Sequence, residues 1–177
     1  MKGKLIVSAL ALGTGIPAQA QDGGPSEKFG AFTLRILTDP MTDATRGILV
    51  SETEDIRMVF KCDNNGPGSL YVSFISKRYL GGARYKMRAV KYRIDSAPPE
   101  EISAYHDGST ATILDLKPAS NGGRWLGRLL SASKLTVQVS NFNYDTYTQV
   151  IDLNGFRPGL VRAASVCRDA NWYTAGG

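Results

Sequence analysis

The chain has 177 residues, of which 42% are apolar and 21% are charged, with 21 basic and 16 acidic groups. These values are typical of one folded domain, and they exclude a disordered tail and a multi-span membrane protein. A single His and two Cys provide few ligands for a transition metal. We therefore expect neither a metal site nor another cofactor.

The first twenty residues have the three parts of a secretory signal peptide. Lys2 and Lys4 form the basic part, residues 5–12 the apolar part, and Ala18-Gln19-Ala20 the small-residue cleavage site. The apolar run is far shorter than the roughly 20 residues that span a bilayer. We expect cleavage after Ala20 and a periplasmic or secreted product without a transmembrane anchor.

Cleavage changes the charge that matters for function. Losing residues 1–20 removes two of the 21 basic groups and leaves 157 residues with 19 basic and 16 acidic groups, so the net charge falls from +5 to +3. This mild excess is not typical of a nucleic-acid-binding protein, and no nucleic-acid partner is expected.

Two cysteines in an exported chain favour one disulfide, between Cys62 and Cys167. The bridge would close a loop of about 105 residues, which the chain-entropy model values at about 4 to 5 kcal/mol. A redox pair or a reactive thiol is the alternative, but the CxxC spacing of redox pairs is absent.

Short apolar runs recur every 10 to 20 residues with turn residues between them, which is typical of an all-β domain. We predict a signal peptide at 1–20, a flexible leader at 21–28, a folded domain at 29–169 and a C-terminal tail at 170–177. The predicted strands are 32–37, 47–51, 56–62, 70–76, 84–95, 102–105, 109–116, 135–140 and 148–153.

Turn residues predict two hairpins. Residues 63–68 include Asn65-Gly66, which permits a tight reversal, and His106-Asp107-Gly108 separates two further strands. Residues 125–133 and 158–167 have helical periodicity instead. The fold class is therefore predicted as all-β, an antiparallel β-sandwich of about eight strands with one or two short helices and one disulfide.

His106 is the only residue that could supply a histidine to a catalytic site. The chain contains no nucleophile elbow, zinc-protease motif or phosphate-binding loop. Because polar residues are ordinary in turns, a predicted turn position gives His106 no catalytic role. The expectation is a protein that is not an enzyme, with an exported hydrolase using His106 as an alternative.

Residues 77–93 are basic and rich in tyrosine, without one acidic residue. Such a segment could bind an anionic partner, or it could be a hairpin whose outer faces are charged for solubility. The candidate binding residues are Arg84, Lys86, Arg88, Lys91, Tyr92, Arg93 and Asp95. Strand alternation predicts that Arg93 and Asp95 share one face, where they either bind a partner or stabilise the exit of the strand.

Four segments in order resemble the exported type VI secretion accessory family over residues 32–168: Asp39-Pro40-Met41-Thr42-Asp43, Val59-Phe60-Lys61-Cys62 followed by Leu70-Tyr71-Val72, residues 90–95, and Asp152-Leu153-Asn154-Gly155 leading to Cys167. The same pattern is found in uncharacterised secreted proteins of bacteria and phages. The resemblance implies a small periplasmic β protein without established catalysis. This chain has Phe29 and Phe32 where the family usually has a Trp.

Together these features predict a non-enzymatic accessory protein that binds an envelope or secretion-system protein. A second possibility is an inhibitor or glycan-binding module that uses residues 77–93 against an anionic cell-wall component.

The disulfide is directly testable in exported protein. Mass spectrometry should find Cys62 linked to Cys167, and Cys167→Ser should lower the free energy of unfolding by about 4 kcal/mol because the unfolded chain loses its cross-link. Reducing agent should destabilise the wild type but not the variant. Two thiols open to alkylation in exported protein would contradict the bridge.

Overall fold

The computed structural model describes residues 24–63, 70–81 and 86–166. Within these residues the chain is mostly β, with two short helices, as predicted. In chain order the strands are β1 (Ser26–Phe29), β2 (Phe32–Thr38), β3 (Thr45–Ser51), β4 (Ile56–Asp63), β5 (Tyr71–Ser76), β6 (Lys86–Ile94), β7 (Glu100–Asp107), β8 (Thr110–Ile113), β9 (Lys134–Ser140) and β10 (Thr146–Asp152). The helices are α1 (Asn121–Leu129) and α2 (Phe156–Ala164).

All ten strands lie in one open antiparallel sheet, in the order β1-β2-β3-β4-β5-β8-β7-β6-β9-β10. The expected sandwich of two separate sheets is therefore corrected to a single sheet of ten strands. Alternation of side chains identifies the face of each strand that is buried, but it does not identify hydrogen-bonded neighbours. The pairings β5 with β8 and β6 with β9 join distant parts of the chain, so that one sheet results.

Strand directions alternate because every neighbouring pair is antiparallel. We call the end of the sheet at Lys86, His106 and Ser140 the proximal end, since β6 begins there and β7 and β9 finish there. The distal end carries the opposite termini of the same strands. The β8–β9 connection, which contains α1, lies at the distal end. The proximal ends of β6, β7 and β9 are therefore on the opposite side from α1.

One apolar core is shared by both halves of the sheet and both helices. In β4 the inward residues Ile56, Met58 and Phe60 are buried, as their alternation predicts. A twist of about 20 to 25° at each neighbouring strand pair would accumulate to about 180 to 225° over ten strands. The last strands return over the first half, where the Asp55 backbone N–H donates to Gln149 Oε1 at 3.3 Å.

Helix α1 begins four residues before the predicted start at residue 125 because Ser120 caps it. The Ser120 hydroxyl accepts a hydrogen bond from the Gly123 backbone N–H at 3.0 Å. Trp125, Leu126 and Leu129 form the buried side of the helix. The indole ring of Trp125 meets the ring of Phe74 edge-on at 6.0 Å, so α1 covers the core between β5 and β6.

Helix α2 packs on the first strands, with the Phe156 ring 5.3 Å from the ring of Phe32. Its start is pressed against the β1–β2 turn. The Ala31 backbone N–H donates to the Asn154 carbonyl oxygen at 3.0 Å. Gly155 has a φ of 84°, and a Cβ there would lie 2.1 Å from the Phe29 carbonyl oxygen. This close contact joins the first hairpin to the end of β10.

Cys62 is buried in β4, and its Sγ lies 3.4 Å from the carbonyl oxygen of Ala163 near the end of α2. Cys167 lies outside the described residues, as do the signal peptide, the turn residues 64–68 and the tail 170–177. The disulfide stays a prediction, and Cys62 lies beside the part of the chain that leads to Cys167. Strand pairing begins at Ser26, inside the expected flexible leader and three residues before the expected domain start.

Two glycines with positive φ test the contact at Gly155. Gly155→Ala should lower the free energy of unfolding by about 3 kcal/mol or more, because the new Cβ requires the backbone to move. Gly108 has a φ of 58°, and a Cβ added there would meet nothing within 4 Å. Gly108→Ala should therefore cost only the backbone strain, about 1 kcal/mol. Equal losses in chemical denaturation would show that the contact is unimportant.

Candidate functional site

The proximal end of the sheet contains an open cleft of about 270 Å³. Side chains from β6 and β7 form one side, and the β9–β10 loop forms the other. The residues that define this basic cleft are Lys86, Arg88, His106, Asn141, Phe142 and Tyr144. Among the described residues, no acidic side chain lines it. The basic cleft is therefore a cationic cavity beside two aromatic side chains.

Arg88 holds the cleft together. Its Nη2 donates to the Leu80 carbonyl oxygen at 3.0 Å and to His106 Nδ1 at 2.8 Å. The Gly81 carbonyl oxygen lies at 3.4 Å from the same nitrogen. These contacts fasten the segment after β5 to the start of β6. Arg88 therefore has a structural role as well as a charge in the cleft.

The neighbours of His106 in the sequence predict a turn, but His106 lies near the end of β7. It continues the inward series of Ile102 and Ala104 and is 0% exposed. Burial lowers the pKa of His106 to about 4, and the positive charge of Arg88 acts in the same direction. The imidazole is therefore neutral at pH 7, with Nδ1 accepting from Arg88. Nε2 then carries the proton, and this N–H has no hydrogen-bond partner in the described structure.

Asn141 organises the β9–β10 loop through all of its side-chain polar atoms. Its Oδ1 accepts from the backbone N–H groups of Asn143 and Asp145, each at 2.9 Å. Its Nδ2 donates to Asp145 Oδ2 at 2.8 Å and lies 3.3 Å from the Tyr147 hydroxyl. The amide is thus occupied within the loop, which it holds in one conformation.

The same loop presents two large aromatic side chains to solvent. Phe142 is 61% exposed and Tyr144 is 87% exposed. Tyr144 has a φ of 67°, a left-handed conformation that is uncommon for an aromatic residue. Exposed apolar rings next to a cavity are typical of binding surfaces, and a strained residue at such a place favours a functional role.

The structure divides the predicted basic segment between two faces of β6. Lys86 and Arg88 lie on the core-facing side, at the basic cleft, whereas Lys91 and Arg93 lie on the outer face. Lys91 Nζ is 3.9 Å from Glu101 Oε1 in the neighbouring strand. Arg84 lies outside the described residues. The six described charges of residues 77–93 therefore do not form one binding patch.

Tyr92 is buried at the distal end, where it joins β6 to α1. Its hydroxyl donates to Glu100 Oε2 at 2.9 Å, and Arg128 binds both oxygens of Glu100 at 2.8 and 2.6 Å. These hydrogen bonds, those from Arg128 first, lower the pKa of Glu100 to about 2. This position of Tyr92 fits a structural role better than the predicted binding role.

Asp95 follows the end of β6 at a positive φ of 49°. Its Oδ1 accepts from the backbone N–H groups of Ser133 and Lys134 at 3.0 and 2.9 Å. The structure therefore uses Asp95 to fix the chain before β9. The shared strand face expected for Arg93 and Asp95 is corrected, because β6 stops at Ile94.

Sequence patterns locate Lys86 and Arg88 but not their neighbours in the basic cleft. Residues 141–147 are predicted only as a loop, although Phe142 and Tyr144 alternate there with polar residues. The one sequence signal for the exposed rings is that Phe142 and Tyr144 lie in a predicted loop that begins with Asn141, a residue typical of turns. The approach of this loop to β6 and β7 depends on the β6–β9 pairing, which no local pattern predicts.

No helix in the described part of the chain is long and apolar enough to cross a membrane. In the same residues, no three His, Cys, Asp or Glu side chains form a group able to hold a metal ion. The chain matches no protein-family model, and comparisons with curated proteins and with solved structures gave no significant match.

The pKa of His106 predicts how stability depends on pH. Its pKa falls from 6.5 to about 4 on folding, so the unfolded chain binds the proton more readily. The stabilising contribution is complete above pH 6.5 and decreases as the pH falls toward 4. Between pH 7 and pH 5 the free energy of unfolding should fall by about 2 kcal/mol.

Denaturant titrations of wild type and His106→Asn at both pH values provide the measurement. Asn keeps an acceptor for Arg88 but does not titrate, and the chain has no other histidine. The variant should therefore lose most of the pH dependence, whatever its absolute stability. A variant that retains the full dependence would show that His106 is not its source.

Proposed function

We propose that this protein is a non-enzymatic, exported binding protein of the bacterial envelope, and that its partner binds at the basic cleft. The observation that carries the proposal is the pairing of Lys86 and Arg88 with the exposed rings of Phe142 and Tyr144 around one cavity. Concave sites with aromatic walls and a few polar groups are typical of ligand-binding sites.

The state of His106 supports binding without catalysis. A general base must reach its substrate and hold a pKa near the working pH, whereas His106 is fully buried with a pKa of about 4. Its one hydrogen bond runs to Arg88, and among the described residues no carboxylate orients the ring as in a catalytic triad. The hydrolase alternative therefore receives no support from the geometry.

The accessory role comes from the resemblance to the exported type VI secretion family, and the compartment comes from the signal-peptide pattern. The partner on this proposal is a component of the envelope, encountered after export. The proximal end is the surface that should meet it, because α1 lies at the distal end and α2 packs on β1, β2, β3 and β4.

In-cell photocrosslinking tests the proposed surface. A photoreactive residue at Tyr144 should give a crosslinked envelope product, because Tyr144 stands at the mouth of the basic cleft. The matched control is the same residue at Leu114, which is 49% exposed and follows β8 at the distal end. Crosslinking at Leu114 alone, equal crosslinking at both positions, or none at Tyr144 would contradict the proposal.

A further inference from the structure

The charge of the basic cleft is not neutralised by acidic side chains. Lys86 is exposed and pairs with no carboxylate in the described residues. Arg88 uses Nη2 for two carbonyl oxygens and His106, which is neutral. Of the nearby acids, Asp145 is bound to Asn141 within the loop, and Asp107 projects to the opposite face of β7 from His106. The cleft therefore favours an anionic ligand.

The rings on the β9–β10 loop add a second requirement. Phe142 and Tyr144 stand in solvent, and Asn141 fixes the loop that carries them. The flat C–H face of a sugar ring packs well on the electron-rich face of an aromatic ring. A rigid loop loses little conformational entropy when it binds, so that the rings are prepared for such a contact.

The position of the cleft disfavours an extended acidic peptide. Peptides that add to a sheet use the free backbone groups of an edge strand. The cleft is lined by β6, β7 and the end of β9, none of which is an edge strand of the sheet, although β6 pairs with β9 only over residues 91–94. A bilayer surface fits less well too, because Lys86 and Arg88 lie together at a concave site rather than across a flat face.

We propose that the basic cleft binds a glycan that carries carboxylate groups. A sugar carboxylate pairs with Lys86 and Arg88, while adjoining sugar rings pack on Phe142 and Tyr144. This inference rests on the proposed function and names the chemistry of its partner. It also corrects the sequence-based version of a glycan site, which included Lys91 and Arg93 on the outer face.

The test uses the exported chain and a six-sugar oligomer of galacturonic acid, with its methyl ester as the uncharged ligand of equal size. Titration calorimetry at low salt should show binding of the acid and about tenfold weaker binding of the ester. Poly-glutamate and phosphatidylglycerol vesicles serve as anionic peptide and lipid probes. Both should bind more weakly than the sugar acid, and equal or tighter binding of either would overturn the proposal.

Variants connect binding to the cleft. Lys86→Ser should weaken binding of the sugar acid about threefold to tenfold, and the matched control Lys91→Ser on the outer face of the same strand should not. Phe142→Ala and Tyr144→Asn should each weaken it about tenfold. Asn tolerates the left-handed backbone of position 144, so that the loop is retained. Equal effects of Lys86→Ser and Lys91→Ser would place binding elsewhere.

The calorimetry and the crosslinking fail independently. If the sugar acid does not bind while Tyr144 still crosslinks to an envelope component, the ligand class is wrong and the proposed surface stands. If Tyr144 gives no crosslink while the sugar acid binds and the cleft variants weaken it, the ligand chemistry stands and the envelope partner is wrong. Failure of both removes the cleft as a binding site.

Discussion

A single β-sheet has two faces, and the strands of this sheet bury side chains mainly on one of them. Ten strands in one layer would leave that face in water, so the sheet must bend until its own halves cover the core. The right-handed twist of the strands brings the last strands back over the first ones. The contact of Gly155 with Phe29 then joins the segment after β10 to the end of β1. The two helices then cover the parts of the apolar core that the sheet itself does not cover.

The two ends of the sheet are covered to different extents, and the candidate site lies at the end that is covered less. At the distal end, Arg128 of α1 donates hydrogen bonds to Glu100 and to the Tyr92 hydroxyl. The buried ring of Trp125 packs against the ring of Tyr92. At the proximal end, Arg88 binds the Leu80 carbonyl oxygen in the segment after β5, and the basic cleft lies beside Arg88. One strand, β6, therefore makes structural contacts at its last residues and lines the basic cleft at its first.

Much of the fold follows from alternation along the chain. Strands such as β4 and β9 are predictable because their apolar residues face one way, and the hairpin β7–β8 follows from its glycine turn. The pairing of β5 with β8 is not predictable, since it joins residues about 40 positions apart and depends on a balance of contacts over the whole core. Without it, one sheet could not be distinguished from two.

The site is predictable only in part, for the same reason. Lys86 and Arg88 stand out by composition, but Lys91 and Arg93 stand out equally, and composition does not show which face of the strand borders a cleft. The turn predicted at His106 is wrong because Asp107 and Gly108 have strong turn chemistry, while the strand continues through His106, which follows the inward series Ile102 and Ala104, and ends at Asp107. Burial of a polar ring is the kind of feature that local propensity does not reveal.

The β5–β8 ladder has a kinetic consequence. It consists of four residue pairs, from Val72 with Ile113 to Ile75 with Thr110, and it is the only strand pairing in the described chain that links β1–β5 to the rest of the sheet. The strands from β1 to β5 are each paired to the next, so they need only local contacts to assemble. Joining the two halves requires contacts about 40 positions apart, as does the β6–β9 ladder within the second half, so both ladders should form after the local hairpins.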